Sequence, residues 1–81
     1  MIKAEKKILT NKFGTNVRRI RESKHLSLRQ VAANCNLDNS KIAKIENGKF
    51  NISLSTIVEL AHGLDIHPAH LLILPDIFPE C

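Results

Sequence analysis

The chain has 81 residues, 43% of them apolar, three Phe as its only aromatics, and a formal net charge of +4. That length supports one core and not two, no apolar run approaches the roughly 18 residues of a membrane span, and "MIKAEKKILTNKF" lacks the apolar stretch and small-residue cleavage site of a secretory leader. All 12 Lys and Arg fall in residues 1–49 beside four acids, a balance of +8, whereas residues 50–81 hold four acids and no Lys or Arg, a balance of −4.

Periodicity and capping residues predict five helices and no strand pattern competes with them. The first helix is expected from Thr10 to Lys24, with Leu9, Phe13, Val17 and Ile20 spaced by three or four on one face and "IKAEKKI" as an N-terminal extension. His25, a residue that tolerates positive φ, stands where a left-handed stop is wanted. Ser27 with Gln30 three residues on forms a capping box, in which each side chain serves a backbone donor that the first helical turn leaves unpaired. The second helix therefore starts there, with Leu28, Val31, Ala32 and Cys35 inward and Asn36 expected at a left-handed end.

Asp38 is an N-cap for the third helix, which carries Ile42 and Ile45 and stops at Gly48. Ser53 caps a fourth helix with Leu54, Ile57, Val58, Ala61 and Leu64 expected inward and Glu59 outward; Gly63 weakens its last turn. Pro68 suits the first position of a fifth helix that buries Leu71 and Leu72, and Pro75 and Pro79 limit its continuation. Residues 1–81 thus read as a single all-α domain, with 1–9 extending the first helix and 73–81 as an apolar tail.

The complete segregation of cationic side chains into residues 1–49 points to a polyanionic partner for that part, the acidic part facing away from it. Two short capped helices joined by a tight turn are the supersecondary signature of a helix-turn-helix. Beyond that signature, residues 13–72 resemble the five-helix DNA-binding domain of phage repressors and Cro-type regulators, the lambda-repressor-like fold. The segments "RRIRESKHLS", "QVA", "IAKIENGK", "SLSTIVELAHGL" and "HPAHLL" carry the resemblance. It implies a sequence-specific binder of double-stranded DNA that regulates transcription, with the helix-turn-helix at the second and third helices. Residues 38–47 would be the recognition helix in the major groove.

The residues of that helix divide consistently with this role. Ile42, Ile45 and Glu46 share one face, leaving Asn39, Ser40, Ala43, Lys44 and Asn47 on the other. Asn39 can pair with adenine, Lys44 with guanine and Ser40 with several bases, while Ala43 allows close approach, so these four are expected to read bases. Leu28, Arg29, Lys41, Asn47 and Lys49 are expected at phosphates, Leu28 through its backbone N–H because it stands where the family often has Gln. Glu46 on an inward face needs a cation. Arg21, four residues after Val17, is on the inward edge of the first helix, and the resemblance implies the same Arg21–Glu46 pair.

Other chemistry finds little support. His67 and His70 have helical spacing but no convergent thiolate or carboxylate, so no metal and no cofactor are expected. No nucleophile motif or phosphate-binding loop suggests an enzyme. Cys35 is read as a free core thiol and Cys81 as an exposed one. The tail "HLLILPDIFPEC" is too apolar to stay wet in a small monomer. Two uses are open: a homodimer interface formed by Leu71, Leu72, Leu74, Ile77 and Phe78, or a fold-back over the same core. A homodimeric cytoplasmic repressor of an inverted-repeat operator is the leading expectation; a protein-interaction module, such as an antitoxin-like autoregulator that binds another protein, is the alternative.

Overall fold

The helix starts marked by capping side chains are capped in the structure, a computed structural model that describes residues 2–74. The elements are α1 (Lys3–Ser23), α2 (Leu28–Ala33), α3 (Asn39–Glu46), α4 (Leu54–Leu64) and a 3₁₀ helix (Pro68–Leu72), with no strand among the described residues. Ser27 Oγ accepts from Gln30 N at 3.1 Å while Ser27 N donates to Gln30 Oε1 at 2.7 Å, completing the capping box of α2. Ser53 Oγ accepts from Thr56 N at 3.2 Å and starts α4 in the same way.

The extension merges into α1, whose 21 residues make a rod of about 31 Å at 1.5 Å per residue. Its N-terminal part lies outside the core, with Ile2 just before it and Ile8 within it 65% and 53% exposed. Beyond it, Phe13 and Val17 enter a core shared with Val31, Leu37, Ile42, Ile45, Leu60, Ala61, Leu64 and Leu71. The core therefore lies where α1, α2, α3, α4 and the 3₁₀ helix converge, α1 packing on α3 and both α1 and α4 packing on the 3₁₀ helix.

Four expectations are corrected. The fifth helix is a 3₁₀ helix of five residues with Pro68 at its first position; its start is capped by His67 Nδ1, which accepts from Ala69 N at 3.1 Å. On α4 the inward residues include Leu60, fully buried, while Leu54 is 76% exposed and Val58 lies at the surface. Asn36 is not left-handed, since His25 (φ 57°) and Asp65 (φ 56°) are the only described non-glycine residues with positive φ. Its N–H instead donates to Glu59 Oε1 at 3.0 Å, so Glu59 ties the helix-turn-helix to α4. Finally, Leu71 and Leu74 are buried in the chain's own core, which removes them as dimer contacts; Leu72 and Ile73 are the half-exposed apolar residues at that end. Ile77, Phe78 and Cys81 lie outside the described residues.

Two glycines let the helices approach. A Cβ on Gly14 would collide with the Ile45 carbonyl oxygen and lie 2.7 Å from that of Glu46, so α1 and the end of α3 meet backbone to backbone. A Cβ on Gly63 would sit 2.8 Å from both Val31 Cγ1 and Val31 O, which explains a weak helix former in the last turn of α4. Cys35 is half-buried beside it, its thiol donating to the Val31 carbonyl at 3.3 Å. At the other end of the core, Asn16 is buried and fully satisfied. Its amide donates to the carbonyls of His70 and Leu71 at 3.2 and 3.1 Å and its oxygen accepts from Arg19 at 2.7 Å. This polar residue in the buried stripe of α1 holds the 3₁₀ helix, a role that its spacing between Phe13 and Val17 could have suggested.

Candidate nucleic-acid interface

Asp38 organises the exposed end of α3. Its Oδ1 accepts from Lys41 N at 2.7 Å and from Ser40 Oγ at 3.1 Å. The backbone N–H of Lys41, then the Ser40 hydroxyl, hold its carboxyl below the ordinary aspartate range. The Ser40 hydroxyl thus donates back to the cap of its own helix.

From this start α3 runs with Ile42 and Ile45 fully buried and with Asn39, Ser40, Lys44 and Asn47 exposed. Ala43 is half-buried in the middle of the outer face, where a longer side chain would hold a partner away. The four residues expected to read bases are therefore on one surface.

The inward charge is answered by a bidentate pair. Arg21 Nε donates to Glu46 Oε2 at 2.7 Å and its Nη2 donates to Oε1 at 3.0 Å. The remaining guanidinium nitrogen Nη1 donates to the Leu26 carbonyl at 2.8 Å. The side chains are only 13% and 6% exposed, and the hydrogen bonds that Arg21 donates to Glu46 raise the Arg21 pKa above its already high ordinary value. One guanidinium therefore fastens the end of α3 to α1 and to the loop before α2, fixing how far and at what angle α3 projects. By contrast, the Arg18–Glu22 pair lies at 3.5 Å with both side chains 58% exposed.

The residues expected at phosphates lie on α2, within α3 and just after it. Arg29 is exposed on α2 and Lys49 is exposed after α3. Leu28 packs on the core, so only its backbone could face a phosphate. Lys41 is half-buried with its ammonium 4.8 Å from the centroid of the Phe50 ring, a cation–π distance that steers it toward the loop after α3. That contact was missed in the sequence, where Phe50 stood outside every helical stripe. Also missed was an open groove of about 870 Å³ lined by Lys3, Lys6 and Lys7 of α1 together with Lys49 and Phe50. Its signal was available in the charge run "KAEKK", read as a helix extension and counted in the basic part of the chain but given no site of its own.

His67 and His70 are 6.3 Å apart by ring centroid, and no group of three metal-binding side chains occurs among the described residues. No helix among the described residues is long and apolar enough to cross a membrane.

Comparison with known proteins gives the same architecture. The sequence matches the family Helix-turn-helix (HTH_3) over residues 17–71. It is 38% identical to the control protein C.MunI of a Mycoplasma species over 56 residues, 68% of this chain and 76% of that protein. Among solved structures, the restriction-modification controller protein C.AhdI from Aeromonas hydrophila is 40% identical with a TM-score of 0.73, the match covering 76% of this chain and 94% of that one. The hypothetical transcription factor NHTF from Neisseria is 30% identical with a TM-score of 0.75, covering 85% and 79% respectively.

Proposed function

The chain belongs to the helix-turn-helix family HTH_3, and on that premise we propose that it is a transcriptional regulator that binds double-stranded DNA with α3 in the major groove. The observation that carries this reading is the division of α3. Its Ile42, Ile45 and Glu46 side is locked to the body by two buried aliphatic residues and a bidentate ion pair, while Asn39, Ser40 and Lys44 stand exposed together. A small residue, Ala43, separates them. A helix held this rigidly can present donors and acceptors to base edges in a fixed register.

In this reading Asn39, Ser40, Ala43 and Lys44 contact bases, and Arg29, Lys41, Asn47, Lys49 and the backbone of Leu28 contact phosphates. Its cellular place is the cytoplasm, with the DNA. The active form is a homodimer that represses by occupying an inverted-repeat operator. Support comes from the exposed apolar side chains Leu54, Leu72 and Ile73 and from an apolar depression of about 400 Å³ whose walls include Leu9, Ile52, Ile57 and Leu72. A two-fold dimer presents two recognition helices about 34 Å apart, one turn of duplex.

The test is binding to a duplex selected from a random pool against unselected duplexes, across a salt series. Specific binding is expected to exceed nonspecific binding by at least ~1,000-fold, with log affinity falling steeply against log salt. Weak, salt-insensitive binding to both duplexes refutes the regulator and leaves a protein-interaction module; sedimentation at the binding concentration tests the dimer.

A further inference from the structure

The N-terminal third of α1 has no part in the core, yet it is helical, exposed and basic. Residues 3–7 carry Lys3, Lys6 and Lys7 against the single acid Glu5. The three lysines are at i, i+3 and i+4, one face of the helix, and that face lines the open groove whose far wall is Lys49, Phe50 and Asn51. Glu5 is not among its walls. Four lysines thus line one open depression.

The groove also adjoins α3. A Cβ on Gly48 would collide with the Asn11 side-chain oxygen, so α1 touches the chain immediately after α3 at that point. Phe50, in the groove wall, carries the Lys41 ammonium of the first turn of α3 on its ring. Lys41 on Phe50 and the groove lined by Phe50, Lys49, Lys3, Lys6 and Lys7 thus share one wall residue, which joins the basic start of α1 to α3.

We infer that the α1 extension is a second phosphate-binding arm, which holds the backbone of duplex DNA flanking the base pairs that α3 reads. The inference rests on the DNA-binding reading above. Lys3 is eight residues before Asn11, about 12 Å at 1.5 Å per residue. Laid along a duplex, that reach would span about three to four base pairs at 3.4 Å each. A row of lysines one helical turn apart supplies point charges without geometric demands, which suits phosphates and not base edges. The extension accordingly adds affinity and footprint but no sequence preference.

The experiment compares the full chain with the triple variant Lys3→Ala/Lys6→Ala/Lys7→Ala on selected duplexes with and without about five base pairs of flank on each side. Alanine keeps the helix and the lysines are exposed, so an unchanged melting temperature is expected and a Lys→Arg triple variant should restore wild-type behaviour. Wild type is expected to bind the flanked duplex more tightly. The alanine variant should bind both duplexes equally, its salt-dependence slope smaller by about 1 to 3 for each protomer bound because each phosphate contact contributes about 0.9. Its discrimination between selected and random sequence should not change. Equal slopes and equal flank dependence for wild type and variant, with specific binding intact, overturn the arm alone. Failure of wild type to discriminate any duplex overturns the DNA-binding reading and the arm with it. If the same lysines instead govern binding to phosphatidylserine vesicles while flank dependence stays unaltered, the arm serves a membrane surface and the inference is overturned.

Discussion

Replacing Glu46 by Ala should destabilise the domain severely. The substitution removes two charge-assisted hydrogen bonds, at 2.7 and 3.0 Å, and leaves the Arg21 guanidinium, only 13% exposed, with a single carbonyl partner at Leu26. An uncompensated buried charge of this kind costs about 3–5 kcal/mol. A domain of this size has roughly 4–12 kcal/mol of stability in total. At about 4–8 °C per kcal/mol for small domains, the melting temperature should fall by roughly 12–40 °C. Thermal unfolding followed by circular dichroism reads this directly. Arg18→Ala is the control, because its pair with Glu22 is 58% exposed on both sides and worth at most about 0.5 kcal/mol. The double variant Arg21→Met/Glu46→Leu removes both charges together and should recover much of the loss. A Glu46→Ala melting temperature within about 3 °C of wild type, or a double variant no more stable than the single one, would refute the reasoning that an unpaired Arg21 is what makes the pair indispensable.

Asn16→Ala should cost about 1–3 kcal/mol, because the His70 and Leu71 carbonyls lose their donor; a proteolysis assay should show cleavage near the 3₁₀ helix increasing first. Gly14→Ala should cost about 1–3 kcal/mol through forced separation of α1 and α3, measurable by urea unfolding, and a neutral result would mean that the two helices can part freely. The Asp38 carboxyl titrates lower folded than unfolded, so its contribution is complete above the ordinary aspartate pKa of about 3.9 and disappears as pH falls through the folded value. The stability difference between wild type and Asp38→Ala should therefore shrink on acidification, and a difference that stays constant into the acid range would count against the cap. On DNA, Lys44→Ala should relax specificity at one position with a loss of about 1–3 kcal/mol there, whereas Lys41→Ala should weaken all sequences alike and reduce the salt slope by about 1; identical effects of the two would contradict their division into base and phosphate contacts.

Local sequence determined a good deal. Ser27 with Gln30, Asp38 and Ser53 placed three helix starts, because a cap acts within one turn and needs nothing from the rest of the chain. His25 was legible as a left-handed stop for the same reason. The two faces of α3 were legible from 3.6-residue periodicity, and so was the need of Glu46 for a cation. The family resemblance then named the helix-turn-helix and the Arg21 partner.

What the tertiary structure decided is where a choice depended on neighbours. On α4 the run "LSTIVELAHGL" is apolar over so much of its circumference that periodicity alone admits more than one inward stripe. The close approach of Gly63 to Val31 selects the stripe with Leu60 inside and Leu54 outside. Asn36 had the residue type for a left-handed turn, but Glu59, 23 positions away, supplies an acceptor for its N–H, and the backbone has no need of that conformation. Leu71 and Leu74 carried the apolar character of a dimer surface and are instead interior residues of the monomer. Lys41 on Phe50 and the lysine-lined groove join segments distant in sequence. Caps and stripes are written within one or two turns of the chain, whereas the orientation of an apolar helix and the clustering of charge are set by which other helices close around it.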